Sequence, residues 1–119
     1  MIQFGSDKQR AEYYDLHENL RKKVVALECI TGLLFPESCL LVTSIKRDVP
    51  IKDNDTHYLQ KRPWRFIDIV PQGVPMVEWE PIRVGLNIIF PYKGKAGCES
   101  FTKFDHPGTG PHWHCQEKP

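Results

Sequence analysis

Apolar side chains recur at three- and four-residue intervals through the first quarter of the chain. Tyr13, Leu16, Leu20, Val24 and Leu27 fall on one stripe, with Tyr14 at its margin. The spacing predicts one helix from Asp7 to about Ile30, with Ser6 as N-cap and acidic Asp7 in the first turn. Basic Arg21, Lys22 and Lys23 lie toward the C-terminal half, and Gly32 serves as terminator. His17 stands on this helix among Asp15, Glu18 and Asn19, the setting of a solvated surface side chain. After a turn at Pro36-Glu37-Ser38, the aliphatic and β-branched run Cys39 to Ile45 predicts a buried strand. Lys46 to Pro63 is polar and reads as a long loop, a feature that small domains usually keep for function or leave disordered.

Arg65 to Val70 predicts a second strand, broken by Pro71, Gly73 and Pro75. Glu78 to Phe90 reads as a second helix, with Pro81 in its first turn and Ile82, Leu86, Ile89 and Phe90 along one side. Pro91 and Gly94 end it. Glu99 to Phe104 is a third strand, residues 106–111 a tight turn, and His112 to Gln116 a fourth strand. This order predicts one α+β domain over residues 1–119. Its small antiparallel or mixed sheet has about four strands, with two main helices packed on one face.

Composition narrows the function classes. A chain of 119 residues with 40% hydrophobic and 26% charged residues can build a modest core and is not a disordered segment. Its net charge of +1 leaves no face-sized basic excess, which argues against a nucleic-acid partner. The clusters Arg21-Lys22-Lys23 and Lys61-Arg62 read as solvated surface. No run approaches the ~20 apolar residues of a membrane span. The start, Met-Ile-Gln-Phe-Gly-Ser-Asp-Lys, has no secretory character, so synthesis in a cytoplasm without a signal peptide is expected. Cys29, Cys39, Cys98 and Cys115 form no C-x-x-C pair and are expected as free thiols.

Four of the five histidines, His57, His106, His112 and His114, lie outside the helices. In His112-Trp113-His114 both imidazoles project from one face of a strand while Trp113 turns to the core and Cys115 turns away from the histidines. Such a pair seats two metal ligands, or one ligand and a neighbouring proton donor; two exposed histidines near a terminus are the plain alternative. Asp68 by itself reads as a strand-end residue, and Arg47 as a surface arginine. Trp64, in the long loop, suits either burial or contact with a partner.

The series Val42-Thr43-Ser44-Ile45-Lys46-Arg47, Thr56-His57-Tyr58, Arg65-Phe66-Ile67-Asp68-Ile69 and His112-Trp113-His114-Cys115-Gln116 resembles the zinc D-Ala-D-Ala carboxypeptidase and L-alanyl-D-glutamate endopeptidase family, whose small members include phage and bacterial cell-wall peptidases. The resemblance spans about Leu41 to Gln116. It implies zinc as cofactor, His57, Asp68 and His114 as its ligands, Arg47 beside the developing oxyanion, and His112 close to the reacting group.

Two departures stand out. His57 and Asp68 are eleven positions apart, against seven in the family, with an apparent insertion around Lys61-Arg62-Pro63-Trp64. Either the longer loop keeps both ligands in place, since loop closure depends weakly on length, or Asp53 or Asp55 takes the carboxylate role. The family's general-base glutamate falls at Pro111, which moves no proton; His112, Asp105 and His106 are the nearest substitutes.

Two metal readings follow: a zinc peptidase acting on peptidoglycan stem peptides, or a non-catalytic, metal-stabilised structural or interaction module, such as a phage virion component contacting other virion proteins. A small helix-sheet binding domain without metal is the third.

Overall fold

Ser6 opens the first helix as its residue type demands: its hydroxyl accepts the Gln9 amide at 3.2 Å, and α1 runs Asp7–Tyr14. In this computed structural model, which describes residues 1–45, 65–94, 96–106 and 110–117, the helical stripe then breaks. The chain turns at residues 15–17 and restarts as α2, Glu18–Leu34. His17 makes the break. Its Nδ1 accepts the Asn19 amide at 3.1 Å, satisfying a donor that a helix N-terminus otherwise leaves unpaired. The single helix expected from periodicity is therefore two, and His17 is a cap rather than a side chain of a helix interior. Leu16, at the junction, stays in the core with Tyr13.

Five strands form a mixed sheet in the order β1-β2-β3-β5-β4. β1 (Ile2–Phe4) runs parallel to β2 (Cys39–Ser44). The other pairings, β2 with β3 (Phe66–Gln72), β3 with β5 (Gly110–Gln116) and β5 with β4 (Phe101–His106), are antiparallel. β1 was not foreseen, since three residues are too short to carry an alternation signal; the Leu40 amide bonds to the Met1 carbonyl at 2.9 Å and ties it down. β3 continues through Pro71 instead of stopping before it. Leu40 spends its amide on β1, so the Leu40–Pro71 pair exchanges no hydrogen bond, and the missing proline N–H costs the ladder nothing.

α3 (Met76–Ile89) carries Pro81 inside the helix rather than in its first turn. The helix start is held by Trp79, whose Nε1 donates to the Val74 carbonyl at 3.0 Å. At Gly73 φ is +81°, and a Cβ there would lie 3.1 Å from the Ser38 Cα, so glycine is required on both counts.

One face of the sheet presents Leu40, Val42, Ile67, Ile69, Phe101, Trp113 and Cys115, all buried, against Leu20, Val24 and Leu27 of α2 and Trp79, Ile82 and Leu86 of α3. The α+β class, with helices against one face of a mixed sheet, is as the element order predicts. Among the described residues, Lys23 is a cation enclosed by the core. Lys23 Nζ donates to Ser100 Oγ at 2.9 Å and to the Gln116 carbonyl at 2.8 Å, and stands 3.3 Å from Glu117 Oε2. These bonds tie α2 to the end of β5. Among the described residues, no helix is long and apolar enough to cross a membrane.

Candidate functional site

The polar chemistry gathers on the face of the sheet that, among the described residues, no helix covers. β3 and β5 are in register with Asp68 opposite His114, and β4 sets Thr102 across from His114 and Phe104 across from His112. Alternation along each strand therefore projects Phe66, Asp68, Thr102, Phe104, His112 and His114 together, away from the core. The expected division of β5 holds: Trp113 and Cys115 are buried in the core, and the two histidines share the other face.

His114 Nδ1 lies 2.8 Å from Asp68 Oδ1, joining positions 46 apart in sequence. With the carboxylate ionised and accepting, Nδ1 carries the proton and Nε2 the lone pair. His112 is set the same way: its Nδ1 lies 3.1 Å from the Gly110 carbonyl oxygen, which can only accept. Its Nε2 stands 3.9 Å from Asp68 Oδ2, so one carboxylate addresses both rings. Only 11–12% of the surface of these three side chains is exposed, which strengthens their mutual interaction relative to water.

Two phenylalanines hold the rings. Phe66 stacks on His114 with centroids 5.6 Å apart and planes at 28°. Phe104 meets His114 edge-on at 5.7 Å and His112 at 5.9 Å. Neither stood out in the sequence. The available signal was the period of two: Phe66 precedes Asp68 by two positions on its strand. On the opposite face, burial, with a smaller contribution from the nearby Asp68 charge, pushes the Cys115 thiol far up from its ordinary value. Cys115 is thus an inert core thiol and no part of the site.

Of the residues singled out from sequence, Asp68, His112 and His114 come together. Arg47, His57, Asp53, Asp55 and Trp64 lie outside the described residues. Asp105 pairs with Pro111 on β4 and, by alternation, projects from the face opposite the histidines, which removes it as a proton carrier there. The side chain of His106 lies outside the described part of the structure.

Imidazole nitrogen and carboxylate oxygen are the donor types zinc takes. The 2.8 Å separation of Asp68 Oδ1 and His114 Nδ1 is a hydrogen bond, so these two atoms would hold a zinc ion together only if the metal displaced the Nδ1 proton and they parted to the roughly 3.3 Å of adjacent tetrahedral donors. Among the described residues no group of three or more His, Cys, Asp or Glu side chains is arranged to hold an ion, and a full ligand set would need a residue beyond them. The chain matches no family model, no curated protein and no solved structure.

Proposed function

We propose that this chain is a zinc-dependent peptidase-type protein acting on peptidoglycan stem peptides, with His57, Asp68 and His114 holding the metal. The observation that carries the reading is the 2.8 Å contact between Asp68 and His114. Two residues that the family resemblance pairs as ligands, from distant parts of the sequence, are direct cross-strand partners. Zinc, when bound, supplies Lewis acidity toward a scissile carbonyl and toward attacking water.

The chain's own residues do the remainder. Phe66 and Phe104 fix the plane of the His114 ring and keep water from its flanks. Asp68 sets the ring's orientation. His112, with Nδ1 engaged by Gly110, directs Nε2 to the Asp68 side of the site and takes the proton-handling role that Pro111 cannot fill. Arg47 steadies the oxyanion.

A second reading, a non-catalytic metal-stabilised module such as a virion component, is favoured by one specific feature. Pro111 stands at the general-base position, and Asp105, a described carboxylate six positions before it, faces away.

Zinc analysis of the purified protein tests both readings; less than about half an equivalent refutes them together. Release of amino groups from purified peptidoglycan, with and without chelator, separates them. The enzyme reading requires activity that chelator and His114→Ala abolish and that His112→Ala lowers by about 100-fold or more. Full zinc occupancy with no hydrolysis in wild type selects the structural module.

A further inference from the structure

β4 ends the sheet: β5 covers one side of it, and among the described residues no strand covers the other. Which of its main-chain groups face outward follows from the register. Phe101 stands opposite Cys115, and the Gln116 amide donates to the Ser100 carbonyl at 3.0 Å, so Phe101 belongs to a pair that exchanges no hydrogen bond with β5. Its own N–H and C=O point away from the sheet, where the Asn87 side chain of α3 takes both, at 2.9 Å each. Alternation turns the same groups of Lys103 and Asp105 outward, and among the described residues nothing takes them. Both side chains are exposed and project from one face of β4, the face on which Lys103 Nζ lies 5.8 Å from the Trp79 ring centroid. Among the described residues neither has an ion-pair partner; the nearby Glu80 carboxylate is taken by Arg83.

We propose that two copies of the chain join edge to edge through β4, antiparallel about a two-fold axis at Phe104, and merge their sheets into one. The strand itself selects a second copy in this register. The axis places Lys103 opposite the partner subunit's Asp105, and Asp105 opposite the partner subunit's Lys103. These are the positions whose N–H and C=O groups face outward, so each opposed pair exchanges main-chain hydrogen bonds in both directions and also sets opposite charges together on one face. Neighbouring registers fail. An axis at Lys103 or at Asp105 sets like charges against each other, and one at Thr102 requires the Phe101 groups that Asn87 already holds. A lysine on an edge strand ordinarily discourages pairing; here the partner's carboxylate answers it. On the other face the two Phe104 rings, each residue 37% exposed, come side by side, so the aromatic cluster about His112 of one copy continues into that of the other. The two-fold closes the contact as a dimer and leaves neither copy with an open β4 edge.

Sedimentation velocity of the full chain from about 5 to 500 µM tests the pairing, because a contact this short supports association in the micromolar range. Expected is a dimer. Asp105→Pro removes an outward N–H and leaves the ladder to β5 intact, so it should raise the dissociation constant about tenfold or more with unchanged circular dichroism. Lys103→Glu alone and Asp105→Lys alone each set like charges opposite one another and should weaken the dimer about tenfold or more. Mixing these two variants should restore association as a heterodimer, since every carboxylate at the contact then meets a lysine of the other chain. If proline disturbs the circular dichroism, the charge variants and their mixture decide. A wild-type chain that stays monomeric throughout overturns the proposal, as does a dimer indifferent to a folded Asp105→Pro variant. A mixture that associates no more tightly than either charge variant alone overturns the antiparallel pairing at Phe104.

Discussion

Replacing Lys23 by Met removes a cation enclosed by the core while keeping most of the volume of its stem. Lys23 is 4% exposed and makes two hydrogen bonds plus a 3.3 Å ion pair to Glu117. Its loss takes a donor from the Gln116 carbonyl and removes the Lys23 charge from beside the Glu117 carboxylate, only 11% exposed. Breaking a buried pair on one side costs about 3–5 kcal/mol, and the Met stem recovers part of the packing. The Ser100 hydroxyl still donates to the Phe90 carbonyl. We therefore expect a loss of about 3 kcal/mol, or a melting temperature lower by about 10 °C for a domain of this size. Chemical denaturation of wild type, Lys23→Met, Glu117→Gln and the double variant measures both the loss and the coupling, expected at about 1–2 kcal/mol. A loss below about 1 kcal/mol for Lys23→Met would refute the reasoning, because it would mean that the buried charge had already lost its benefit to desolvation.

Two further expectations concern the core. Trp79→Phe should cost about 2 kcal/mol or more, since it removes the bond to the Val74 carbonyl as well as volume; Trp113→Phe should cost distinctly less, because the buried Trp113 Nε1 has no hydrogen-bond partner among the described residues. Comparing their denaturation midpoints checks the order. In native protein a thiol reagent should modify exposed Cys29 and Cys98 rapidly, and Cys115 only on unfolding. The raised Cys115 pKa also has a pH signature. Above its ordinary value of 9.0 the unfolded thiol loses its proton while the folded one keeps it, so stability, full below pH 9, falls as pH rises by up to about 1.4 kcal/mol per unit. Tyr13, raised chiefly by burial, adds to this slope above its ordinary value of 10.0. A Cys115→Ala variant with an unchanged alkaline slope would contradict it.

Local pattern fixed much of the architecture. Ser6 as a cap, the α2 and α3 stripes, the buried run from Cys39 and the alternation of Trp113 and Cys115 against the two histidines all depend on nearest-neighbour geometry, and each is visible at the spacing of 3.6 or 2 residues. Periodicity carried the first helix straight through His17, because a stripe does not reveal where a side chain will trade its place in a helix for a cap. β1 escaped notice because three residues gain meaning only from their partner strand. The candidate site divides in the same way. The histidine pair and Asp68 were legible as residue types. That Asp68 sits beside His114, that Phe66 and Phe104 hold the rings, and that Asp105 faces the other way are consequences of register between strands far apart in sequence. Register is chosen by the whole sheet burying one face, since a slip of one residue would turn every side chain over; no local stretch of sequence contains that choice.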